Sequence, residues 1–251
     1  MTPSPASTGV LWGFPVLAVG LVTLVALGHR VAAARLGVEP GLALRRTVLF
    51  LGAALAWQLA VAWLARAGVL ARFDAMPPPL VFLLLGVALC GQALARSSVG
   101  ATLTHGLPLA ALVGFQAFRL PLELLMHQAA VEGVMPAQMT FTGWNFDIVT
   151  GASAIVVAVL LALGVGGRRL VVVWNALGTG LLVTIVAIAV ASTPVFSAFG
   201  DGPALNTFIA YLPFTTLPTV MVLLAMAGHV MLWRRLWSER AASASALPSS
   251  A

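Results

Sequence analysis

The sequence contains no lysine, because all thirteen of its basic residues are arginine. A retinal Schiff base, or any other covalent chemistry on a lysine, is therefore excluded. There is also only one cysteine, Cys90, so the chain cannot form an intramolecular disulfide, a CxxC pair or a thiolate metal cage. Charge of either sign is scarce, since charged residues make up only 8% of the 251 residues.

Long apolar runs take the place of the missing charge. Hydrophobic residues make up 61% of the chain and the mean hydropathy is +1.04, more apolar surface than a water-soluble domain can hide. Several runs of roughly 20 residues are long enough to cross a bilayer as helices. The sequence therefore predicts an all-α integral membrane bundle whose main partner is membrane lipid. The net charge of +6 lies in short loops beside helix ends, where membrane topology accounts for it and nucleic-acid binding is not indicated.

The apolar pattern predicts seven transmembrane helices. Their expected bounds are about Val10–His29, Thr47–Leu64, Leu80–Ala95, Gly106–Gln128, Asn145–Val165, Leu170–Ala191 and Asn206–Trp233. This gives three regions: a short outer tail at 1–9, a single transmembrane domain at 10–233, and a basic and then disordered tail at 234–251. Pro213 and Pro218, close together in the last helix, predict that this helix is kinked or broken.

The arginines predict how the bundle is oriented. With the N-terminus outside, ten arginines fall in the cytoplasmic loops and the C-terminal segment, whereas only Arg66 and Arg72 fall outside. This asymmetry is the positive-inside pattern, so the N-terminus is expected outside and the C-terminus in the cytoplasm. The thirteenth arginine, Arg119, lies inside the fourth predicted helix, where a charge costs at least about 2.5 kcal/mol at the bilayer centre.

A cluster of polar residues follows Arg119. At about 100° per residue, the side chains of Gln116, Arg119, Glu123 and His127 share an arc of roughly 80° on one helix face. Arg119 and Glu123, at i and i+4, can form an ion pair that offsets part of the cost of burial. Pro121 between them has no N–H and is expected to kink the helix. Asp147 begins the next helix on the same outer side, so these five residues are a candidate ligand-binding site facing outward.

Part of this set also has metal-ligand spacing. Glu123 and His127 lie one helical turn apart, and Asp147 is the best third ligand, with Glu132 the next, for a divalent metal such as zinc, iron or manganese. Simpler interpretations also hold: Arg119–Glu123 as an internal pin between helices, His127 at the interface, Asp147 as a partner of the helix dipole, and Glu132 as an exposed charge. Three other histidines, His29, His105 and His229, lie at predicted cytoplasmic helix ends. Interfacial positions explain them more simply than a bis-histidine haem.

The stretch RLPLELLMHQ, followed by EGVMPAQMTFTGWNFDIVTG, resembles a block found in uncharacterised bacterial multi-pass inner-membrane proteins. The resemblance is concentrated between Phe115 and Ala154 and implies a location in the bacterial cytoplasmic membrane. It implies no activity and no catalytic residue.

Three functions fit these observations. The first is binding, transport or sensing of a small polar or anionic ligand by the cluster. The second is a membrane-embedded metal-dependent hydrolase, which needs three converging ligands. The third is a structural or assembly subunit in which the cluster only pins helices together.

Overall fold

The computed structural model describes the backbone of residues 6–245 and the side chains of residues 6–240. Within these residues all regular secondary structure is helical, and there is no strand. The α-helices are α1 (Thr8–Arg35), α2 (Pro40–Arg66), α3 (Pro79–Arg96), α4 (Ser98–Gly106), α5 (Leu109–Gly114), α6 (Arg119–Val131), α7 (Ile148–Ala162), α8 (Arg168–Ala191) and α9 (Leu223–Ser245). A 3-10 turn, Phe115–Phe118, joins α5 to α6, and a π-helical turn, Leu217–Val222, leads into α9.

Six of these helical segments are long and apolar enough to cross a membrane: α1, α2, α3, the continuous α5–α6 rod, α8, and the π turn with α9. The chain is therefore a multi-pass membrane protein. The fifth predicted helix, expected at Asn145–Val165, is the shorter helix α7. Its 15 residues extend about 22 Å at 1.5 Å per residue. A bilayer has a hydrocarbon core about 30 Å thick, so α7 alone is too short to span it.

Two further elements differ from the sequence expectation. The predicted loop after Arg96 contains the short helix α4, which Ser97 caps by accepting a hydrogen bond from the Gly100 N–H. The last helix begins at Leu217 rather than Asn206, and it continues to Ser245 instead of ending at Trp233. Residues 1–5 and 246–251, which include most of the predicted outer tail and the end of the predicted disordered tail, lie outside the described residues.

The helices differ strongly in how far they are buried. In an apolar stretch of 18 residues within Leu217–Arg240, 67% of the residues are buried, compared with 11% in a stretch of the same length in α2. Helix α9 packs against α3, α4, α5 and α8 and is the centre of the bundle. Helix α2 packs mainly against α1 and lies at the edge, where leucines such as Leu55 and Leu59 are exposed. Exposed apolar side chains of this kind are expected where a helix faces lipid.

At each end of the bundle, hydrogen bonds join different helices. At one end Arg235 donates to the carbonyls of Thr104 and His105, and Arg168 donates to the carbonyl of Leu236. This end gathers segments for which the sequence predicts a cytoplasmic location. At the opposite end the Ser7 N–H and hydroxyl both donate to the Glu132 carboxylate, at 2.7 Å each. The start of α1 therefore lies beside the end of α6. Two further polar contacts at this end join the loops after α6 and α8, from Gln138 to Ser192 and Ala204.

Candidate functional site

The candidate site lies where the α5–α6 rod changes its helical geometry. The rod tightens to a 3-10 turn at Phe115–Phe118 and returns to an α-helix at Arg119. Pro121 lies three residues after this turn and has no N–H to donate to the carbonyl of Ala117. The irregularity expected from Pro121 is therefore present, and it lies N-terminal to the proline. At 1.5 Å per residue, Arg119 is about 15 Å from the start of α5 and about 18 Å from the end of α6.

Arg119 forms an ion pair with Asp147, through Nη1 and Oδ1. The sequence suggested Glu123 as the partner, but the structure joins Arg119 to the residue at the N-cap position of α7. Both side chains are buried, with Arg119 1% exposed and Asp147 5% exposed. Because the two charges lie on different elements, the pair holds the beginning of α7 against the middle of the α5–α6 rod.

Glu123 has a different partner, Asn145. The Asn145 side-chain amide donates to both carboxylate oxygens of Glu123, at 2.7 and 2.9 Å, and to the carbonyl of Met139 at 3.0 Å. The Asn145 side-chain oxygen accepts from the backbone N–H of Asp147 at 3.0 Å. Asn145 therefore organises both acids of the site.

Sequence reasoning placed Asn145 only at the beginning of the fifth predicted helix and missed this role. The one available signal was an asparagine two residues before an acid at the edge of an apolar run. An asparagine in that position can accept the N–H of the acid in a local turn.

Helix α7 begins deep in the bundle because a glycine lets it approach the rod. A Cβ atom on Gly151 would collide with the backbone N of Leu120 and would lie 3.1 Å from the Cβ of Arg119. The backbone before α7 is irregular, and several of its residues are buried: Val134, Met135, Pro136, Met139, Thr140 and Asn145. Irregular backbone at membrane depth is tolerated where protein buries it or where it lines a polar cavity. The loop from Glu132 to Asp147 is thus packed into the bundle.

A small cavity of about 50 Å³ lies beside the ion pair. Arg119, Glu123 and Asp147 line it together with apolar side chains of α6, α8 and the π turn. The Arg119 Nε and Nη2 atoms are buried and have no hydrogen-bond partner among the described residues. An unpartnered buried donor costs on the order of 1–3 kcal/mol, and more when it is charged. The cavity can hold a few water molecules or a small solute that supplies the missing acceptors.

The remaining predicted site residues lie elsewhere. Gln116 is fully buried and donates to the carbonyl of Ala225 on α9 at 3.1 Å. His127 packs its ring against Phe141, with the ring centroids 4.7 Å apart, and it does not line the cavity. The structure therefore brings together Arg119, Glu123 and Asp147 and separates Gln116 and His127 from them. No group of three His, Cys, Asp or Glu residues in the described part of the chain is arranged to hold a metal.

Glu132, the other candidate ligand, binds neighbouring groups. The side-chain amide of Gln128 and both donors of Ser7 lower the pKa of Glu132 below its usual range. Since these donors favour the charged form, Glu132 acts as an anionic tie between α6 and the start of α1.

The histidines proposed for haem are positioned as follows. His29 Nδ1 bonds to the Thr47 hydroxyl at 2.9 Å, and His229 Nδ1 bonds to the Asn175 side-chain oxygen at 2.7 Å. His105 is exposed. Haem binding by these residues stays a prediction.

Comparison with known proteins finds a family model that matches the chain. A family model described as a domain of unknown function, DUF8737, matches residues 76–237, which include every residue of the cluster described above. No curated protein and no solved structure matches the chain.

Proposed function

The chain belongs to this family of unknown function, and we propose that it binds a small polar or anionic solute at Arg119, inside the membrane. The observation that carries the proposal is the pair of unpartnered Arg119 nitrogens beside a cavity. Both nitrogens are donors, so the solute must present oxygen acceptors, as a small oxyanion or carbonyl compound does. The cavity volume of about 50 Å³ limits it to a few heavy atoms.

We further propose that the protein crosses the bacterial cytoplasmic membrane seven times, with the N-terminus outside. The ten-to-two distribution of arginines supports this orientation. Helix α7 and the buried loop before it would together form one crossing, with the loop in the outer half. Half-length helices that begin near the midplane recur at the binding sites of transporters. Ligand access would then be from the outer side.

The residues of the site have separate roles in this proposal. Asp147 holds the guanidinium of Arg119 by an ion pair through Nη1 and leaves Nε and Nη2 for the solute. Glu123, held by Asn145 on both oxygens, is the proton acceptor closest in sequence to Arg119. If Asp147 and Glu123 are both ionised, the three side chains carry one net negative charge. Protonation of Glu123 would remove that charge and make anion entry more favourable.

Thermal-shift measurements on detergent-purified protein test the proposal. Acetate, bicarbonate, nitrate and urea sample small oxyanions and a neutral carbonyl. A solute present at one hundred times its dissociation constant stabilises the folded state by about 2.7 kcal/mol. For a chain of this size that corresponds to a rise of about 5–10 °C in Tm.

Matched variants identify the site. Ala189 lines the cavity, whereas Ala187 on the same helix is exposed. Ala189→Leu is expected to abolish the stabilisation and Ala187→Leu to preserve it. Arg119→Gln is expected to abolish it as well. Failure of all four solutes to stabilise folded wild-type protein, or a response that survives Ala189→Leu, would contradict the proposal.

A structural role for the cluster is the second candidate. It is favoured by one observation: Asp147 and Asn145, at the beginning of α7, both bind residues of α6. In that case substitutions of the cluster change stability and no solute binds.

Metal analysis by inductively coupled plasma mass spectrometry on the same samples tests the metal-dependent hydrolase. Stoichiometric metal that is lost in Glu123→Gln and in His127→Ala would support it.

A further inference from the structure

A second and much larger opening lies on the other side of the bundle. It is a groove of about 850 Å³ between α2, which stands at the edge, and α1, α3 and α9. Its walls are mostly apolar, with side chains such as Val22, Phe50, Ala54, Ala93 and Leu223. Val19, Leu49 and Leu55 also line it and are each more than 60% exposed. The groove therefore opens laterally, on the side of the bundle where lipid is expected.

Polar groups stand at both ends of this groove along α2. Arg46 lies at one end and is half-buried. Neither ion pair among the described residues includes it. At the other end the Gln58 amide donates to the Thr219 hydroxyl at 3.1 Å, and the Trp57 indole donates to the Thr219 carbonyl at 3.1 Å. These two bonds tie α2 to the π turn and close the groove there.

The length of the groove matches one leaflet of a bilayer. Arg46 and Gln58 are twelve residues apart on α2, which corresponds to about 18 Å at 1.5 Å per residue. One leaflet contributes about 15 Å of the roughly 30 Å hydrocarbon core. A single acyl chain that enters beside Arg46 would therefore reach Gln58 and Thr219. Arg46 lies six residues into α2, within reach of the headgroup region for a long flexible side chain.

We propose that this groove is a specific site for one anionic phospholipid, with an acyl chain between α2 and α3 and the phosphate at Arg46. Three features support this occupant over a protein segment: apolar walls open to the bilayer, a length of one leaflet, and an unpaired cation at the headgroup level. Arg30 and Arg35, in the last two turns of α1, add positive charge at the same end of the bundle. The site is independent of the cavity at Arg119, since the two share no lining residue.

Native mass spectrometry of the full-length protein, delipidated in detergent, measures the preference directly. Phosphatidylglycerol and phosphatidylcholine with identical acyl chains are supplied in equal amounts. One arginine near a membrane surface changes the affinity for anionic lipid by about fivefold. Wild-type protein is therefore expected to retain one phosphatidylglycerol about fivefold more often than phosphatidylcholine.

Neighbouring arginines provide the matched control. Arg45 is exposed, lies outside the groove and carries the same charge as Arg46. Arg46→Gln is expected to remove the preference for phosphatidylglycerol, and Arg45→Gln to keep it. Ala54→Phe, which fills the groove, is expected to reduce the retention of both lipids. Size-exclusion chromatography verifies that each variant is folded.

The single cysteine gives a second measurement. Cys90 lines the groove and is partly buried, so a bound chain is expected to slow its alkylation by a membrane-permeant maleimide. Phosphatidylglycerol should slow the reaction, whereas glycerol 3-phosphate, which has the phosphate without the chains, should not. Equal effects of Arg45→Gln and Arg46→Gln, or lipid retention unchanged by Ala54→Phe, would show ordinary surface lipid and overturn the proposal.

Discussion

Removal of the Asp147 carboxylate is the most direct perturbation of the site. Asp147→Ala leaves the Arg119 guanidinium buried without its only ion-pair partner in the described part of the chain. Breaking a buried pair by removing one member typically costs about 3–5 kcal/mol, because the remaining charge is uncompensated. For a chain of this size about 1 kcal/mol corresponds to 2–4 °C in Tm, so the expected decrease is roughly 6–20 °C.

The double variant Arg119→Met/Asp147→Leu distinguishes the effect of an unpaired buried charge from the effect of lost side-chain packing. It removes both charges and restores apolar volume, and replacements of this kind are often neutral or stabilising. Its Tm is therefore expected within a few degrees of wild type, well above that of Asp147→Ala. Asp201→Ala, in an exposed turn, changes the net charge by the same amount as Asp147→Ala and is expected to leave Tm unchanged.

Tryptophan fluorescence during heating in a mild detergent measures these Tm values, with size-exclusion chromatography before each scan. The reasoning fails if Asp147→Ala melts like wild type. It also fails if the double variant melts as low as Asp147→Ala, since the loss would then reflect packing and not an unpaired charge. Loss of the solute response in a stable double variant would separate ligand binding at Arg119 from a purely structural role.

Three further predictions concern stability alone. Gly151→Ala is expected to force α7 away from α6 and lower the free energy of unfolding by about 1–3 kcal/mol, while Gly180→Ala, with open space around it, is expected to be neutral or stabilising; thermal melts compare the two. Because the folded state lowers the pKa of Glu132, its contacts stabilise the protein above the unfolded pKa and are lost as pH falls through the lowered value. Melts between pH 7 and 3 should therefore show a decrease in wild type that is smaller in Glu132→Gln. Trp57→Phe is expected to cost about 1 kcal/mol through the lost hydrogen bond to the π turn, whereas Trp63→Phe, on the exposed side of α2, should not; equal effects in denaturant titrations would contradict this.

Some features of the site could be predicted from the sequence because they depend on local chemistry. Pro121 lacks an N–H wherever it lies, so an irregular helix around Arg119 was expected and is present as a 3-10 turn. Arg119 and Glu123 within an apolar run had to be buried with partners, since lipid offers none. The partners themselves could not be predicted. Spacing along one helix favoured Arg119 with Glu123, whereas the fold supplies Asp147 and Asn145 from another segment.

The helix bounds, too, could be predicted from the sequence only in part. An apolar run of fixed length predicts a span, and six of the seven predicted runs contain one. The exception is the fifth, which contains only the short helix α7, because the backbone groups of the residues before Ile148 form hydrogen bonds in turns. Hydropathy does not distinguish a helix from a buried irregular loop of similar composition. The late start of the last helix has a comparable origin, since residues before Leu217 pack into the bundle without forming an α-helix.

The sequence by itself determined that this is an all-helical, multi-pass membrane protein, because composition and the length of apolar runs act through the bilayer alone. It also placed two ionisable residues, Arg119 and Glu123, near the middle of one apolar helix. Only the tertiary structure decided which charges meet, since pairing depends on how closely helices approach, and here the bare backbone of Gly151 sets that distance. The same holds for the groove beside α2, which exists because α2 packs against α1 and stands away from α3 and α9.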